Sequence, residues 1–288
     1  MDKLIINAAI TGINPMKSDN PHVPLTVDEI VTDAYSCWNA GASIVHIHAR
    51  DPAGIPAYNR EIYHEIFTRI REKCPGLLIC GSTSGRVFKE FQQRAEVLRL
   101  GKDCQPDFGS LTLGSMNFPR ETSVNTPQMI GSLAGLMNEY GIIPEWELFD
   151  FGMIDYAHYL TDKGILKKPY YANIILGSLG TAAATPQNLA GMVQALPKTT
   201  VWSAAGIGRF QFYINSMAVT MGGHVRAGLE DSLFFDEQRS KPATNPGLID
   251  RIVTLSRAAG RQIASPEETR RIIGIRDSFH SPSKNSCM

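Results

Sequence analysis

The sequence has no excess of charge of either sign. Its 288 residues include 28 Lys and Arg against 28 Asp and Glu, and no basic run occurs. Because nucleic-acid binding depends on clustered Lys and Arg, this balance argues against a nucleic-acid-binding protein. It argues equally against a protein that charge attaches to a membrane surface.

Long apolar runs and paired cysteines are also missing. The apolar run at residues 4–10 is shorter than the roughly 18 residues of a membrane-spanning helix, and no basic segment or clear cleavage site marks it as a secretory signal. The five cysteines are odd in number, widely scattered and without a CxxC pair. They argue against a disulfide framework and a Cys-based zinc site, and they predict a cytoplasmic protein with reduced thiols.

What the sequence does contain is an alternation of short apolar runs with helix-length stretches. Thr26 and Glu29 form a predicted capping box, and Pro186 follows Thr185 at another helix start, whereas the helix at 209–221 is the least clearly marked. Apolar strands without polar alternation are typical of parallel sheets covered on both faces. The runs predict eight strands, at residues 4–10, 43–48, 77–82, 108–113, 143–148, 171–176, 200–204 and 223–227.

Eight strand-helix units in a chain of this length predict an α/β protein, a single-domain (β/α)₈ or TIM barrel. A doubly wound open sheet is the alternative, but the turn after the first predicted strand, Thr11-Gly12-Ile13, lacks the GxGxxG phosphate-binding pattern. We expect residues 1–275 to form the catalytic barrel and residues 276–288 to form a polar C-terminal tail.

The end of the second predicted strand carries the clearest chemical signal, His46-Ile47-His48. Because strand side chains alternate between faces, the two imidazoles point the same way, about 6 to 7 Å apart along the strand. Such a pair suits one metal ion, and a catalytic zinc typically takes three protein ligands and keeps one position open. The alternative is that one histidine packs in the barrel while the other caps the strand.

A third ligand is expected from the segment after the eighth predicted strand, where Glu230 and Asp231 are adjacent. In a closed barrel this segment lies beside the first strand and near the second. The two acids point in different directions, so one can bind metal while the other transfers protons. The alternative is an acidic pair stabilised by a helix N-terminus.

Polar residues also close the other predicted strands. Glu145 and Glu147 share one face of the fifth strand, where buried carboxylates are costly unless they are paired or bound to an ion. The run Ser82-Thr83-Ser84 closes the third strand with hydroxyl groups suited to a carboxylate. Asn117 follows the fourth strand, and the glycine-rich loop with Gly208 and Arg209 follows the seventh, where barrels often bind phosphate groups.

In chain order these residues resemble the β-keto acid cleavage enzymes, the family typified by 3-keto-5-aminohexanoate cleavage enzyme. The resemblance runs from about residue 4 to the helix that begins at Pro266, and the ordered set is far more specific than any single tripeptide. It rests on Thr11-Gly12, Pro24-Leu25-Thr26 with Glu29-Ile30, Ala40-Gly41-Ala42, His46 through Asp51, Ser82-Thr83, Asn117-Phe118, Pro144 through Glu147, Gly206 through Arg209, and Gly222 through Arg226 with Glu230-Asp231.

The resemblance implies a zinc-dependent barrel that converts a β-keto acid and acetyl-CoA into a new CoA thioester and acetoacetate. By the same likeness, zinc is bound by His46, His48 and Glu230 and polarises the 3-keto oxygen. Catalytic roles fall on Asp231 as general base held by Arg226, with Glu147 and Ser82. Further contacts are expected from Asn14, Ser82, Thr83, Ser110 and Asn117 to the β-keto acid, and from Gly208 and Arg209 to acetyl-CoA.

Two positions depart from the family pattern. Asn14 stands where the type member has an acid suited to an amino group, which favours a substrate with a neutral or anionic tail. Arg86 adds a cation near the expected carboxylate site, unless it is a solvated helix residue. A symmetric homo-oligomer is expected for an enzyme of this kind.

Three alternatives stay open at this point. One is a metal-dependent barrel hydrolase of the amidohydrolase type, although histidines late in the chain are few. Another is a carbon-carbon lyase resembling hydroxymethylglutaryl-CoA lyase, although the expected Arg-Asp pair is missing near the first strand. The third is a non-catalytic barrel that binds metal or CoA.

Overall fold

The computed structural model describes residues 2–118 and 121–275 and forms a closed barrel of eight parallel strands. The last strand pairs with the first, with Asn7 opposite Arg226 and Ala8 opposite Ala227. The predicted (β/α)₈ fold is confirmed, and every predicted run overlaps a barrel strand, although the seventh strand extends two residues past its predicted end at residue 204. The strands are β1 Ile6–Ala9, β2 Ile44–Ile47, β3 Leu78–Gly81, β4 Phe108–Thr112, β5 Ile143–Leu148, β6 Tyr171–Leu176, β7 Val201–Gly206 and β8 His224–Ala227.

Helices surround the barrel, and several begin at the residues that the sequence marks. Thr26 forms a capping box with Glu29 at the start of one helix. At the start of another helix, whose first residue is Pro186, the Thr185 hydroxyl accepts the N–H of Asn188. The helix expected at 209–221 is a short 3₁₀ turn, Gly208–Phe210, that runs into an α-helix. The helices are α1 Val27–Ala40, α2 Arg60–Lys73, α3 Phe91–Ala95, α4 Pro127–Tyr140, α5 Phe151–Asp162, α6 Pro186–Ala195, α7 Gln211–Thr220, α8 Asn245–Ala258 and α9 Pro266–Ile273, with a second 3₁₀ turn at Glu96–Leu98.

Two short antiparallel ribbons lie on the loops at the carboxyl ends of the strands. One pairs Ala49–Arg50 with Pro56–Ala57 after β2, and the other pairs Met116–Asn117 with Thr122–Ser123 after β4. Both fold their loops back beside the strand ends. The two ribbons therefore border the mouth of the barrel.

The barrel interior is apolar at one end and polar at the other. Ile5, Leu78 and Phe108 form a buried cluster that Ile273 of α9 covers at the amino end of the strands. Further along the strands the buried interior residues are polar, and they include His46, Glu145 and Arg226. The sequence thus places its ionisable interior groups near the end where barrel enzymes carry their chemistry.

No helix among the described residues is long and apolar enough to cross a membrane. The polar tail expected at 276–288 lies outside the described residues, and the division at residue 275 stays a prediction.

Candidate active site

The carboxyl ends of β2 and β8 bring His46, His48 and Glu230 together. Their potential ligand atoms all lie within 4.8 Å of one another. Nε2 of His48 is 3.3 Å from one Glu230 oxygen, and Nε2 of His46 is 3.8 Å from the other. Glu230 reaches the histidines across the end of β1, where its N–H donates to the carbonyl of Ala9 at 3.1 Å.

The arrangement of these three side chains suits a shared metal ion better than hydrogen bonds among the side chains themselves. The Nε2 atoms of His46 and His48 face each other at 3.4 Å, and Glu230 Oε2 is buried without a hydrogen-bond partner in the described structure. Burial lowers the pKa of His48, which favours the neutral imidazole that binds metals. Although burial raises the pKa of Glu230, Arg226 and the two histidines hold it well below its usual range. Two imidazoles and one carboxylate are a common catalytic zinc set.

Glu145 fixes the orientation of the His46 ring. One of its oxygens is 2.8 Å from Nδ1 of His46, and the other accepts the Asn7 amide at 2.8 Å. A metal-binding histidine commonly donates its second ring N–H to such a carboxylate, which leaves Nε2 free for the ion. Cys80 lies close enough to form a second cluster with His46 and Glu145. Arg226, whose Nη1 is 3.6 Å from Glu145, disfavours a second cation there.

Arg226 is the buried centre of a group of carboxylates. Its Nε donates to Asp231 at 3.0 Å, and its Nη2 lies 2.9 Å from Glu230. Nη1 donates to Glu147 at 3.2 Å, so one guanidinium joins three of the predicted site residues. Burial disfavours the charged guanidinium, but the carboxylates outweigh it and raise the pKa of Arg226. Burial also raises the pKa of Asp231, which suits a group that takes up and returns a proton.

The hydroxyl residues after β3 divide into two groups. Ser82 lines the cavity beside His48, together with Glu147 and Asp231. Thr83 and Ser110 instead bind each other, because the Thr83 hydroxyl donates to the Ser110 carbonyl at 2.6 Å and the Ser110 hydroxyl accepts the Thr83 N–H at 3.0 Å. In this structure their polar atoms hold the β3 and β4 ends together.

Asn14 and Arg86 meet on one side of the cavity mouth. Both donate to the same Glu121 oxygen, each at 3.1 Å. The Arg86 guanidinium also stacks 3.6 Å from the centre of the Phe118 ring. Arg86 lies in a turn and lines the cavity, so it is not a solvated helix residue.

Two other predicted contacts lie outside this cluster. Asn117 is exposed on the ribbon after β4 and does not line the cavity. Arg209 is exposed and stacks 4.9 Å from the Phe210 ring centre, on the edge of a separate cavity of about 350 Å³. Gly208 is closer to the site, because its N–H donates to the carbonyl of Asp231 at 2.7 Å.

Sequence reasoning noted Glu145 but gave it no role, and it missed Asn7. The available signal was an asparagine inside an otherwise apolar first strand.

A larger cavity of about 720 Å³, lined by Arg71, Tyr170 and Ile273 among others, shares no lining residue with the cavity that holds His48 and Asp231. We therefore take the smaller cavity as the candidate active site.

The chain is similar to known proteins over nearly its whole length. Residues 3–275 match a family model described as beta-keto acid cleavage enzyme. A 3-keto-5-aminohexanoate cleavage enzyme from Fusobacterium nucleatum is 39% identical over 277 residues, 96% of this chain and 99% of that protein. A 3-oxoadipate:acetyl-CoA acetyltransferase from Cupriavidus necator is 34% identical over 274 residues, 94% of each chain.

Solved structures agree with the fold. The apo structure of ObcA superimposes with a TM-score of 0.78 at 18% identity, covering 88% of this chain and 66% of that one. At this identity the likeness shows the barrel alone.

Proposed function

The chain belongs to the beta-keto acid cleavage enzyme family, and we propose that it is a zinc-dependent member that converts a β-keto acid and acetyl-CoA into a new CoA thioester and acetoacetate. The match to the family model and to these relatives confirms the family and the enzyme class that the sequence predicted. The observation that carries the proposal is the convergence of His46, His48 and Glu230 beside the buried pair of Arg226 and Asp231.

The metal would be held by His46, His48 and Glu230, whose atoms converge and include an unpartnered buried carboxylate oxygen. When bound, zinc polarises the 3-keto oxygen of the substrate and makes its C2 protons more acidic. Glu145 holds His46 in the required orientation from the opposite side of the ring.

Asp231 is the proposed base. It takes a proton from C2 of the β-keto acid, and the resulting carbanion forms a bond to the acetyl carbon while CoA thiolate leaves. The thiolate then attacks the original 3-keto carbon, and the bond between that carbon and C2 breaks. The electron pair stays on C2, which takes its proton back from Asp231 as acetoacetate leaves.

Arg226 and Glu147 position this base. The bidentate contacts of Arg226 fix both Asp231 oxygens, at 3.0 and 3.3 Å, and its third nitrogen is tied to Glu147. A base that is already oriented loses little entropy when substrate arrives. Ser82 faces the same cavity and would donate its hydroxyl to the substrate carboxylate.

The substrate tail would lie against Asn14 and Arg86. Glu121 in this corner already accepts from both, which leaves no unpaired acid for an ammonium group. A neutral or anionic tail therefore fits better than a cationic one.

Thr83, Ser110 and Asn117 would contribute through the shape of the loops, and Gly208 with Arg209 would contact acetyl-CoA. A symmetric homo-oligomer in the cytoplasm completes the proposal, and light scattering and cell fractionation test it.

A coupled acetoacetate assay with acetyl-CoA and a panel of β-keto acids tests the reaction. Zinc-loaded wild type should turn over, His48→Ala should lose activity, and His64→Ala, which alters an exposed histidine of α2, should keep it. Release of product without acetyl-CoA would favour a metal-dependent hydrolase or lyase. Silence across the panel, with zinc bound, would favour a non-catalytic barrel.

A further inference from the structure

Asn245, the first residue of α8, is a buried side chain that the reaction scheme does not use. It is 1% exposed. Its Oδ1 accepts the N–H of Leu229 at 2.7 Å, and its Nδ2 donates to the carbonyl of Ile10 at 2.8 Å and to the Asp33 carboxylate. One side chain therefore joins α1, the end of β1 and the segment after β8.

The position of these contacts matters because regular pairing between β1 and β8 ends at Ala8 and Ala227. Beyond that point the two backbones are joined directly by the Glu230 N–H, which donates to the Ala9 carbonyl at 3.1 Å. The Asn245 amide adds a side-chain bridge, because it binds a carbonyl on one segment and an N–H on the other. Leu229 directly precedes Glu230, so the bridge acts next to a proposed metal ligand.

We propose that Asn245 is a positioning residue that sets the direction of the Glu230 carboxylate toward His46 and His48, and thereby the affinity for the metal. The inference rests on the proposed metal site. Asn245 contacts none of the ligand atoms and acts through the two backbone positions that it joins, Leu229 and Ile10. Metal sites tolerate deviations of about 0.2 Å in ligand distance, so a small shift of this segment is enough to weaken binding.

Asn20 offers a matched control. It is also 1% exposed, donates to the carbonyls of Leu233 and Ala243 at 2.7 and 2.9 Å, and accepts the N–H of His22 at 2.8 Å. Like Asn245, it accepts one backbone N–H and donates to backbone carbonyl oxygen. Its carbonyl partners lie in the same long loop after β8. None of its partners is adjacent to Glu230.

The test measures zinc affinity of the metal-free full chain by competition with a chromophoric chelator, with urea unfolding measured in parallel. Asn245→Ala should bind zinc about tenfold more weakly or worse, the range typical for groups that support metal ligands. Asn20→Ala should lose similar stability and keep its affinity within about twofold of wild type. Asp33→Asn should also keep its zinc affinity within about twofold of wild type, because the new side chain still offers an acceptor to the Asn245 amide.

Asn245→Ser serves where Asn245→Ala does not fold, since its hydroxyl keeps one buried polar contact but is too short to join Leu229 to Ile10. It should still weaken zinc binding. Wild-type affinity in a folded Asn245 variant would overturn the inference, as would an equal loss in Asn20→Ala. A wild type whose zinc binding does not depend on His48 would overturn the proposed metal site itself.

Discussion

Gly12 is the position where one methyl group should disturb the candidate metal site most selectively. It follows β1 with φ +69°, and a Cβ there would lie 2.9 Å from Cγ and 3.1 Å from Cα of Glu230. A left-handed conformation costs a residue with a Cβ about 1 to 2 kcal/mol, and overpacking adds about 1 to 3 kcal/mol. Gly12→Ala should therefore lower the free energy of unfolding by about 2 to 5 kcal/mol and displace Glu230.

Gly164 separates the two contributions. It follows α5 with φ +67°, and nothing lies within 4 Å of where its Cβ would stand. Gly164→Ala therefore carries the backbone cost without the contact, and it should lose only about 1 to 2 kcal/mol.

Urea unfolding of the metal-free proteins gives the first comparison, and zinc affinity by chelator competition gives the second. Gly12→Ala should lose more stability than Gly164→Ala and should alone bind zinc at least about tenfold more weakly. Equal stability losses with unchanged zinc affinity would refute the reasoning, because the contact with Glu230 would then have no consequence.

Three further predictions follow from other residues. Burial, with a smaller contribution from Arg261, lowers the pKa of His224 from 6.5 to about 3. Between these two pH values the unfolded chain binds a proton at His224 that the folded chain does not bind. The free energy of unfolding therefore falls as the pH drops below 6.5, by up to about 1.4 kcal/mol per pH unit. His224→Asn, which keeps an acceptor for the backbone N–H that the ring binds, should flatten this slope in urea melts at stepped pH, and an unchanged slope would assign it elsewhere. Glu145→Gln should weaken zinc binding about tenfold in chelator competition by removing the carboxylate beside His46, and full affinity would show that the contact is dispensable. Asn14→Glu should raise kcat/KM for β-keto acids with a cationic tail by about tenfold or more relative to neutral ones, since it sets two acids, the new one and Glu121, against the single cation Arg86, and no gain would count against this tail position.

The fold could be predicted because its signals are local. Each barrel strand is an apolar run of its own, and the alternation of side chains placed His46 and His48 on one face before any tertiary information was used. Closure of the barrel placed the adjacent acids Glu230 and Asp231 near them. The choice of Glu230 as the third candidate ligand came from the family resemblance.

The supporting residues could not be predicted in the same way, because their roles depend on partners far along the chain. Asn245 resembles any asparagine at a helix start, and only the fold shows that it joins Leu229 to Ile10. Thr83 and Ser110 resemble substrate ligands until their mutual hydrogen bonds are seen. Ribbons with two residues per strand, such as the one that carries Asn117, are too short to leave a pattern.

The candidate site lies across the seam where the last strand of the barrel meets the first. Arg226 and His46 are in contact although 180 residues separate them in sequence, so the site exists only after the ring has closed. An ion bound there would cross-link two distant parts of the chain, and its contribution to stability would grow with the logarithm of the loop that it closes. A nascent chain that has not yet released β8 and Glu230 from the ribosome would have no place for the ion, so metal uptake would report that the barrel has closed.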